Sequence, residues 1–293
     1  MTVASLEGFS HRRLERRQKV AGLFVAACQA ATLLGLVFLA VLLVDVARDG
    51  APYLRPQLVT QFPSRFPSQA GYASALVGTV YVAGITSLVA FPLGVAAAVY
   101  LEEYARPGPL LRLLEVNIAN LAAIPSVLYG LLGLGLFVEG LRMGKSVLAG
   151  ALTLALLVLP LVILSSREAI RAVPFSVREA AYALGATRWQ VVRYHVLPYA
   201  APGVLTGTIL ALSRAVGETA PLIMLGALQY VPFLPQGVWD YFTVLPIQIF
   251  NYVSLPNPEF QRLAAAGILL LLAVLLALNG MAVWLRGRAR VRW

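Results

Sequence analysis

Long apolar runs separated by short polar segments make up most of this chain. Six runs reach about 20 residues, the length that an α-helix needs to cross the hydrocarbon core of a bilayer. Backbone polar groups in lipid must find partners within their own segment, so continuous runs of this length predict helices and exclude the strands of a closed barrel. The pattern predicts an all-α membrane protein with six transmembrane helices, at residues 20–46, 74–100, 114–138, 147–165, 202–228 and 263–285.

Composition places the chain outside the range of soluble domains. Of its 293 residues, 59% are hydrophobic and 12% are charged, whereas about 25% are charged in a typical soluble domain. If the N-terminus is cytoplasmic, the inner segments hold 16 lysine and arginine residues and the outer loops hold six. This asymmetry predicts that both termini are cytoplasmic. Because basic residues that flank spans act as orientation signals, the net charge of +10 does not indicate a nucleic-acid partner.

These predictions divide the chain into five parts. The parts are a basic cytoplasmic N-terminal tail (1–19), a first transmembrane helix (20–46), an outer loop (47–73), a transmembrane domain of five helices with an inner loop at 166–200 (74–285), and a basic cytoplasmic tail (286–293). Within the domain, the last outer loop (229–262) is rich in proline and aromatic residues. Such a loop suits either an interfacial belt or a docking surface for an outer partner.

The inner loop carries the most informative polar pattern. After Pro174, the stretch EAAYALGATRWQ (179–190) has the composition of a short helix interrupted by Gly185. Its arginines, Arg178, Arg188 and Arg193, are expected to remain in water. A charged helix-turn-helix between two spans suits contact with a cytoplasmic partner, and the alternative is a surface helix that only connects the spans.

Residues Glu179, Ala180, Ala181 and Gly185, with Leu197-Pro198 further on, resemble the EAA loop of ABC importer permeases. His195 departs from the pattern, because that family usually has isoleucine two residues before the Leu-Pro pair. Together with this loop, three further stretches resemble the permeases of the phosphate-specific transport family: PLGVAAAVYLEEYA (92–105), AIPSVLYGLLGLGLF (123–137) and SRAVGETAPL (213–222).

This resemblance implies the architecture of a type I ABC importer permease in the bacterial inner membrane. The implied partners are a second permease, a dimer of ATPase subunits and an outer phosphate-binding protein. In that family the EAA loop fits a groove on the ATPase, and the positions that carry this coupling role over to this chain are Glu179, Ala180, Ala181, Gly185, Ala186, Thr187, Arg188 and Trp189.

Catalytic and cofactor sites are not expected in this chain. GLRMGKS (140–146) resembles a phosphate-binding loop, but it has three residues between its glycines where that loop requires four. ATP and Mg²⁺ are therefore expected to bind to the partner ATPase. With two histidines and one cysteine in the whole chain, no metal site is expected either.

Two charges four residues apart, Arg214 and Glu218, interrupt the fifth apolar run. For a helix that enters the bilayer near Gly203, a rise of about 1.5 Å per residue places them roughly 16 and 22 Å deep. Each charge costs about 2.5–3.5 kcal/mol there, so this helix is marginal alone and must face protein or water. We expect both side chains on one helical face.

That face also includes Gly203, Gly207 and Ala211, which allow the close approach of another helix or of a permeating solute. Pro221 cannot donate a hydrogen bond to the carbonyl of Gly217, so a kink is expected beside the charges. Small residues, two charges and a bend are thus predicted at one place in the chain.

Two interpretations of these charges remain open. In the first, Arg214 lines an anion pathway and Glu218 moderates its charge, with Ser213, Gly217 and Thr219 beside them. In the second, the two charges form a structural ion pair. The resemblance to the phosphate-specific transport family implies phosphate import as the function. The alternatives are import of another oxyanion such as sulfate or molybdate, and a stand-alone ion-coupled transporter.

Overall fold

A computed structural model describes residues 3–227 and 230–288 of the chain. Side chains are described from residue 17 onward within these ranges, except for residues 282, 285, 286 and 288. Most of the two predicted basic tails, 1–19 and 286–293, lies outside the described side chains.

The regular structure of the described residues is helical, apart from one isolated bridge between Ser146 and Tyr241. The α-helices are α1 (Val3–Gly50), α2 (Pro56–Thr60), α3 (Ala73–Val99), α4 (Pro109–Ala123), α5 (Ser126–Gly133), α6 (Val147–Arg171), α7 (Phe175–Ala183), α8 (Arg188–Val191), α9 (Leu197–Gly217), α10 (Ala220–Leu225), α11 (Leu245–Val253) and α12 (Pro258–Arg288). Turns of π-helix continue α3 over Tyr100–Tyr104, continue α5 over Leu134–Gly140, and join α8 to α9 over Val192–Val196. Ala51–Tyr53 and Pro67–Gln69 are 3₁₀ turns.

Five helical segments are long and apolar enough to cross a membrane, and a bent pair of helices makes six if it counts as one span. This confirms the predicted all-α membrane fold. The five segments are Arg17–Tyr53, Ala73–Tyr104, Val147–Arg171, Arg188–Gly217 and Pro258–Met281.

The third predicted span, 114–138, is wrong as a single helix. The chain bends by 99° between Pro109–Ala123 and Ser126–Gly140. At the bend, Ile124 and Pro125 are extended, with ψ angles of 136° and 134°. A residue that precedes proline is disfavoured in the helical region, which gives this break its physical cause.

The fifth predicted span, 202–228, is also wrong in its boundaries. The helical segment begins at Arg188, because α8 and the π-helical turn run directly into α9, and it ends at Gly217. Glu218 leaves the helix with a ψ angle of 123°, and α10 starts two residues later with Pro221 near its beginning. The expected kink at Pro221 is therefore a complete break of the helix.

Helix α6 is the most buried span, and α3 and α9 pack directly against it. Glycines allow these close approaches: a Cβ atom on Gly94 of α3 would lie 2.6 Å from Val162, and one on Gly207 of α9 would lie 2.4 Å from Ser165. Helix α12 packs against α9, and α1 contacts α12 where Gly50 approaches Ala265.

The bundle has two ends, which position the candidate sites. Residues 100–108 and 172–196 form the end that carries the EAA loop, here named the EAA end. Residues 51–72, 141–146 and 230–257 form the far end, where the backbone N–H of Val147 bonds to the carbonyl of Asp240 and the Tyr252 hydroxyl donates to the carbonyl of Gly71.

Candidate functional site

Arg214 and Glu218 form an ion pair at the point where α9 ends. Arg214 Nε lies 3.3 Å from Glu218 Oε1, and the Arg214 side chain is 58% exposed whereas that of Glu218 is 19% exposed. The expectation that both residues share one helical face is wrong, because Glu218 lies beyond the last helical residue. The pair instead bridges the helix end and the break, where a basic side chain also complements the partial negative charge of the helix terminus.

The small residues before Arg214 lie where α9 approaches other helices of the chain. A Cβ atom on Gly203 would lie 2.8 Å from the Cβ of Ala169, Gly207 meets Ser165, and Ala211 is buried. Gly203 and Gly207 thus allow α9 to approach α6, although Gly203 itself is exposed, and Ala211 supports packing within the bundle. The exposed positions Leu210, Arg214 and Gly217 follow at a spacing of one and two helical turns, so they form a separate stripe on α9.

The three neighbours assigned to the pathway differ in their surroundings. The Ser213 hydroxyl lies 2.9 Å from Asn279 Oδ1, so it ties α9 to α12 and lines an apolar cavity of about 450 Å³ between α3, α9 and α12. Gly217 is exposed, with open space where a Cβ would be, and Thr219 precedes the first residue of α10. The structure thus groups Gly217 and Thr219 with the ion pair and places Ser213 against another helix.

Asn279 was missed by the sequence reasoning, although the sequence contains a signal for it. It is the one amide side chain in the apolar run 263–285. A buried amide in a membrane helix needs a hydrogen-bonding partner on another helix, and a search for such isolated polar residues would have found it.

The EAA loop has the predicted helix-turn-helix form. Helix α7 ends at a left-handed glycine, Gly185, with φ of 81°, a conformation that residues with a Cβ rarely adopt. The N–H of Ala186 then bonds to the carbonyl of Ala181 at 3.1 Å. Thr187 begins α8 with a capping box, in which its hydroxyl accepts from the Gln190 N–H and the Gln190 side chain accepts from the Thr187 N–H.

Large apolar side chains of the loop are exposed at the surface. Leu184 and Trp189 are 88% and 54% exposed, and Phe175 and Tyr182 are exposed as well. Among the other residues assigned to coupling, Ala181 lies on the buried face of α7 and Ala186 is half-buried. The exposed ones are Glu179, Ala180, Gly185, Thr187 and Arg188. A concentration of apolar side chains on a surface is typical of a contact with another protein or with the membrane.

The structure contradicts the expectation that the Arg178 side chain remains in water. Its side chain is 13% exposed, and it donates to Glu103 Oε1 through Nη2 at 2.8 Å and through Nε at 3.1 Å. It also donates to the carbonyls of Val173 at 2.7 Å and of Ile170 at 3.0 Å. Arg188 and Arg193 are exposed, as expected.

A second charged cluster at the EAA end was missed as well. Arg167, buried near the end of α6, pairs with Glu102 at 2.8 Å and with Glu115 of α4, and Arg171 pairs with Glu102 at 2.7 Å. The signal in the sequence is the Glu102-Glu103 pair, which directly follows an apolar run. Carboxylates that are buried at the end of a membrane helix need cationic partners.

Residues 90–291, more than half of the chain, match the family described as binding-protein-dependent transport system inner membrane component. This chain belongs to that family. It is therefore a multi-pass inner-membrane protein and a permease of the ABC transporter class.

Relatives of known name cover most of the chain. The phosphate transport system permease protein PstA of Haemophilus influenzae is 34% identical over 247 residues, which are 84% of this chain and 86% of the relative. The PstA protein of Yersinia pestis is 33% identical over 279 residues, or 94% and 92% of the two chains. The probable ABC transporter permease protein YqgI of Bacillus subtilis is 32% identical over 273 residues, or 89% and 90%.

Solved structures of ABC importers share the fold. A chain of the inward-facing MetNI methionine ABC transporter superposes with a TM-score of 0.63 at 19% identity, covering 75% of this chain and 96% of that chain. A chain of a bacterial alginate ABC transporter, in complex with its alginate-bound periplasmic protein, gives 0.64 at 17% identity, covering 89% and 93%. These similarities confirm the predicted importer-permease architecture.

Proposed function

We propose that this protein is the PstA-like permease subunit of an ATP-driven importer of inorganic phosphate. The observation that carries the proposal is an arginine–glutamate pair, with the arginine exposed, at the break that ends a membrane-spanning helix, in a chain that is 34% identical to a phosphate permease. An exposed charge in an apolar span needs water, a solute or a partner subunit, because lipid cannot solvate it.

Energy for transport comes from a separate ATPase dimer that binds ATP and Mg²⁺, and this chain is a non-catalytic subunit without a cofactor of its own. The exposed apolar side chains of the EAA loop support an ATPase contact there. The remaining partners are a second permease, which completes the pathway, and an outer phosphate-binding protein, which delivers the anion at the far end. In this arrangement the EAA end is cytoplasmic, in agreement with the distribution of positive charge.

Arg214 offers the anion a planar group of five N–H donors, which matches the oxygens of phosphate in a bidentate arrangement. Glu218 lies beside it and lowers the local positive charge, so that the anion is held and can also leave. A carboxylate can further accept a hydrogen bond from the P–OH group that phosphate carries at neutral pH and sulfate lacks. Ser213 supports this site only indirectly, since Asn279 occupies its hydroxyl.

Competition during uptake tests the proposal. Cells that lack their own phosphate permease receive this chain with its partner subunits, and uptake of labelled phosphate is measured with excess unlabelled sulfate or molybdate. We expect ATP-dependent phosphate uptake that neither competitor reduces. A reduction of phosphate uptake by sulfate or molybdate would indicate that the substrate is another oxyanion. Phosphate uptake without the ATPase would favour a stand-alone transporter.

Replacing Glu218 by glutamine is expected to weaken the discrimination between phosphate and sulfate. Glutamine can donate a hydrogen bond to sulfate through its amide, and it no longer offsets the charge of Arg214. The ratio of phosphate to sulfate uptake should fall by about tenfold, the effect of one hydrogen bond of about 1.4 kcal/mol. If Glu218→Gln leaves both the uptake rate and this ratio unchanged, the selectivity role is wrong.

Changes at the bend of the EAA loop are expected to uncouple ATP hydrolysis from uptake. Trp189→Ala removes an exposed aromatic contact, and Thr187→Ala removes the capping box of α8 at a cost of about 1 kcal/mol. A bulky residue in place of Ala186 should have the same effect. The measurement is phosphate imported per ATP hydrolysed in purified complexes, and normal coupling in all three variants would place the ATPase contact elsewhere.

A further inference from the structure

Three consecutive residues at the EAA end each bind a different part of the structure. They lie on the π-helical turn that ends α3, Tyr100–Tyr104. Glu102 pairs with Arg167 and Arg171 of α6, Glu103 pairs with Arg178 of α7, and the ring of Tyr104 lies 5.1 Å from the guanidinium carbon of Arg188 on α8. Both helices of the EAA loop and the end of α6 therefore meet at one turn of α3.

We propose that this turn is the hub through which movement of the EAA loop reaches the membrane helices, and that Arg178 is its main positioning residue. The hub is defined as residues Tyr100–Tyr104. The proposal rests on the proposed function only for the existence of an ATPase that moves the loop, and the identity of the transported anion does not enter it.

The contacts of Arg178 explain why it has the leading part. All three of its guanidinium nitrogens donate, to one carboxylate, to the carbonyl of Ile170 in the last turn of α6 and to that of Val173 just beyond the helix. Carbonyls in the last turn of a helix have no partner within the helix, so Arg178 also caps α6. With Glu103 only 7% exposed, removal of either charge leaves the other buried without its partner, and the geometry is strongly specified.

A continuous series of contacts leads from the hub to the ion pair. Helix α6 packs against α9 through Gly203 and Gly207, whose missing side chains allow the two backbones to approach. Helix α9 then carries Arg214 at its end. Because close-packed interiors transmit strain, we expect a displacement of α6 to shift α9 and the break that follows it.

Distance measurements between spin labels test the hub without reference to the transported solute. Cys28, the one cysteine of the chain, is replaced by serine, and labels are attached to Tyr100→Cys at the hub and Ser176→Cys on α7 of the EAA loop, both exposed positions outside the apolar contact surface. In the assembled complex, we expect the same distance with and without ATP in this labelled parent. In the presence of Arg178→Met the distance should shift or broaden when ATP binds.

The second readout, measured in the same complexes, is the amount of phosphate imported per ATP hydrolysed. Arg178→Met should lower the phosphate imported per ATP hydrolysed by at least about tenfold, because several charge-assisted hydrogen bonds are lost. Arg193→Met is the matched control, since it removes an exposed arginine of the same loop whose guanidinium lies over the ring of the neighbouring Tyr194. It should change the ratio by less than about twofold.

Two conservative variants keep the proposal testable if Arg178→Met fails to assemble. Glu103→Gln retains an acceptor without its charge, and Arg178→Lys retains the charge without the planar group, so each should reduce coupling partially. The hub proposal would be refuted if ATP changed the distance between the two labels in the parent protein. It would also be refuted if both conservative variants imported a normal amount of phosphate per ATP hydrolysed. Loss of phosphate uptake in the wild-type complex would instead refute the proposed function, while an unchanged distance would still support the hub.

Discussion

Replacing Arg214 by glutamine is expected to lower phosphate uptake by at least about 100-fold, with assembly of the complex intact. A hydrogen bond to a charged group contributes about 1.5–3 kcal/mol, and the guanidinium can form two of them with one phosphate. Because the Arg214 side chain is 58% exposed, its loss creates no cavity in the core of this chain. The effect should therefore appear in transport and leave folding largely unchanged.

Labelled phosphate uptake in cells measures this effect, with membrane insertion and ATPase association checked in the same strain. Arg214→Lys should retain part of the activity, since it keeps the charge and loses the planar donor group. Arg112→Gln, at an exposed arginine of α4, serves as the control for the loss of one positive charge. Full phosphate uptake by Arg214→Gln would show that the ion pair between Arg214 and Glu218 has only a structural role.

The second large effect is expected from Gly130, where α5 meets α10. A Cβ atom at this position would lie 2.5 Å from the carbonyl oxygen of Pro221 and 2.7 Å from its Cα, both backbone atoms that cannot rotate away. Gly130→Ala should therefore push α10 away from α5, at a cost of about 1–3 kcal/mol in stability. Since α10 begins two residues after Glu218, uptake should fall as well, by about tenfold or more.

Thermal unfolding of the purified complex and phosphate uptake measure the two consequences of Gly130→Ala. Gly135→Ala is the matched control, because a Cβ atom on Gly135 has no neighbour within 4 Å. A glycine-to-alanine change in the same apolar region should thus leave both measurements close to those of the wild type. Equal behaviour of the two variants would show that α5 and α10 have room to separate at no cost.

Local rules in the sequence were sufficient for much of the fold. The length of the apolar runs predicts spans because lipid requires internal hydrogen bonds, and glycine at 185 predicts the turn of the EAA loop because it tolerates positive φ. The same kind of rule was available for the break at Ile124-Pro125, and only the continuity of hydrophobicity across it led to a single predicted helix.

Local rules in the sequence could not predict which side chains pair with one another across the bundle. Arg178 and Glu103 are 75 residues apart in the chain, and no local pattern indicates which arginine of a basic loop is buried. Ser213 and Asn279, 66 residues apart, present the same difficulty. Such pairs depend on how the helices are arranged around α6, and hydrophobic periodicity describes each helix separately.

By itself, the sequence determined that this protein is a helical membrane permease, that its longest inner loop is an EAA helix-turn-helix, and that Arg214 and Glu218 are close enough to pair. The spans, the helix-turn-helix and the proximity of the two charges follow from spacing along single segments, whereas the permease and EAA assignments follow from the resemblance to known permeases. The tertiary structure alone decided that α6 approaches α9 at Gly203 and Gly207, that Arg214 remains exposed beside a broken helix, and that three residues of one π-helical turn join α6, α7 and α8. The physical reason is that burial and ion pairing depend on which helices approach one another, and this is fixed only when the whole bundle packs.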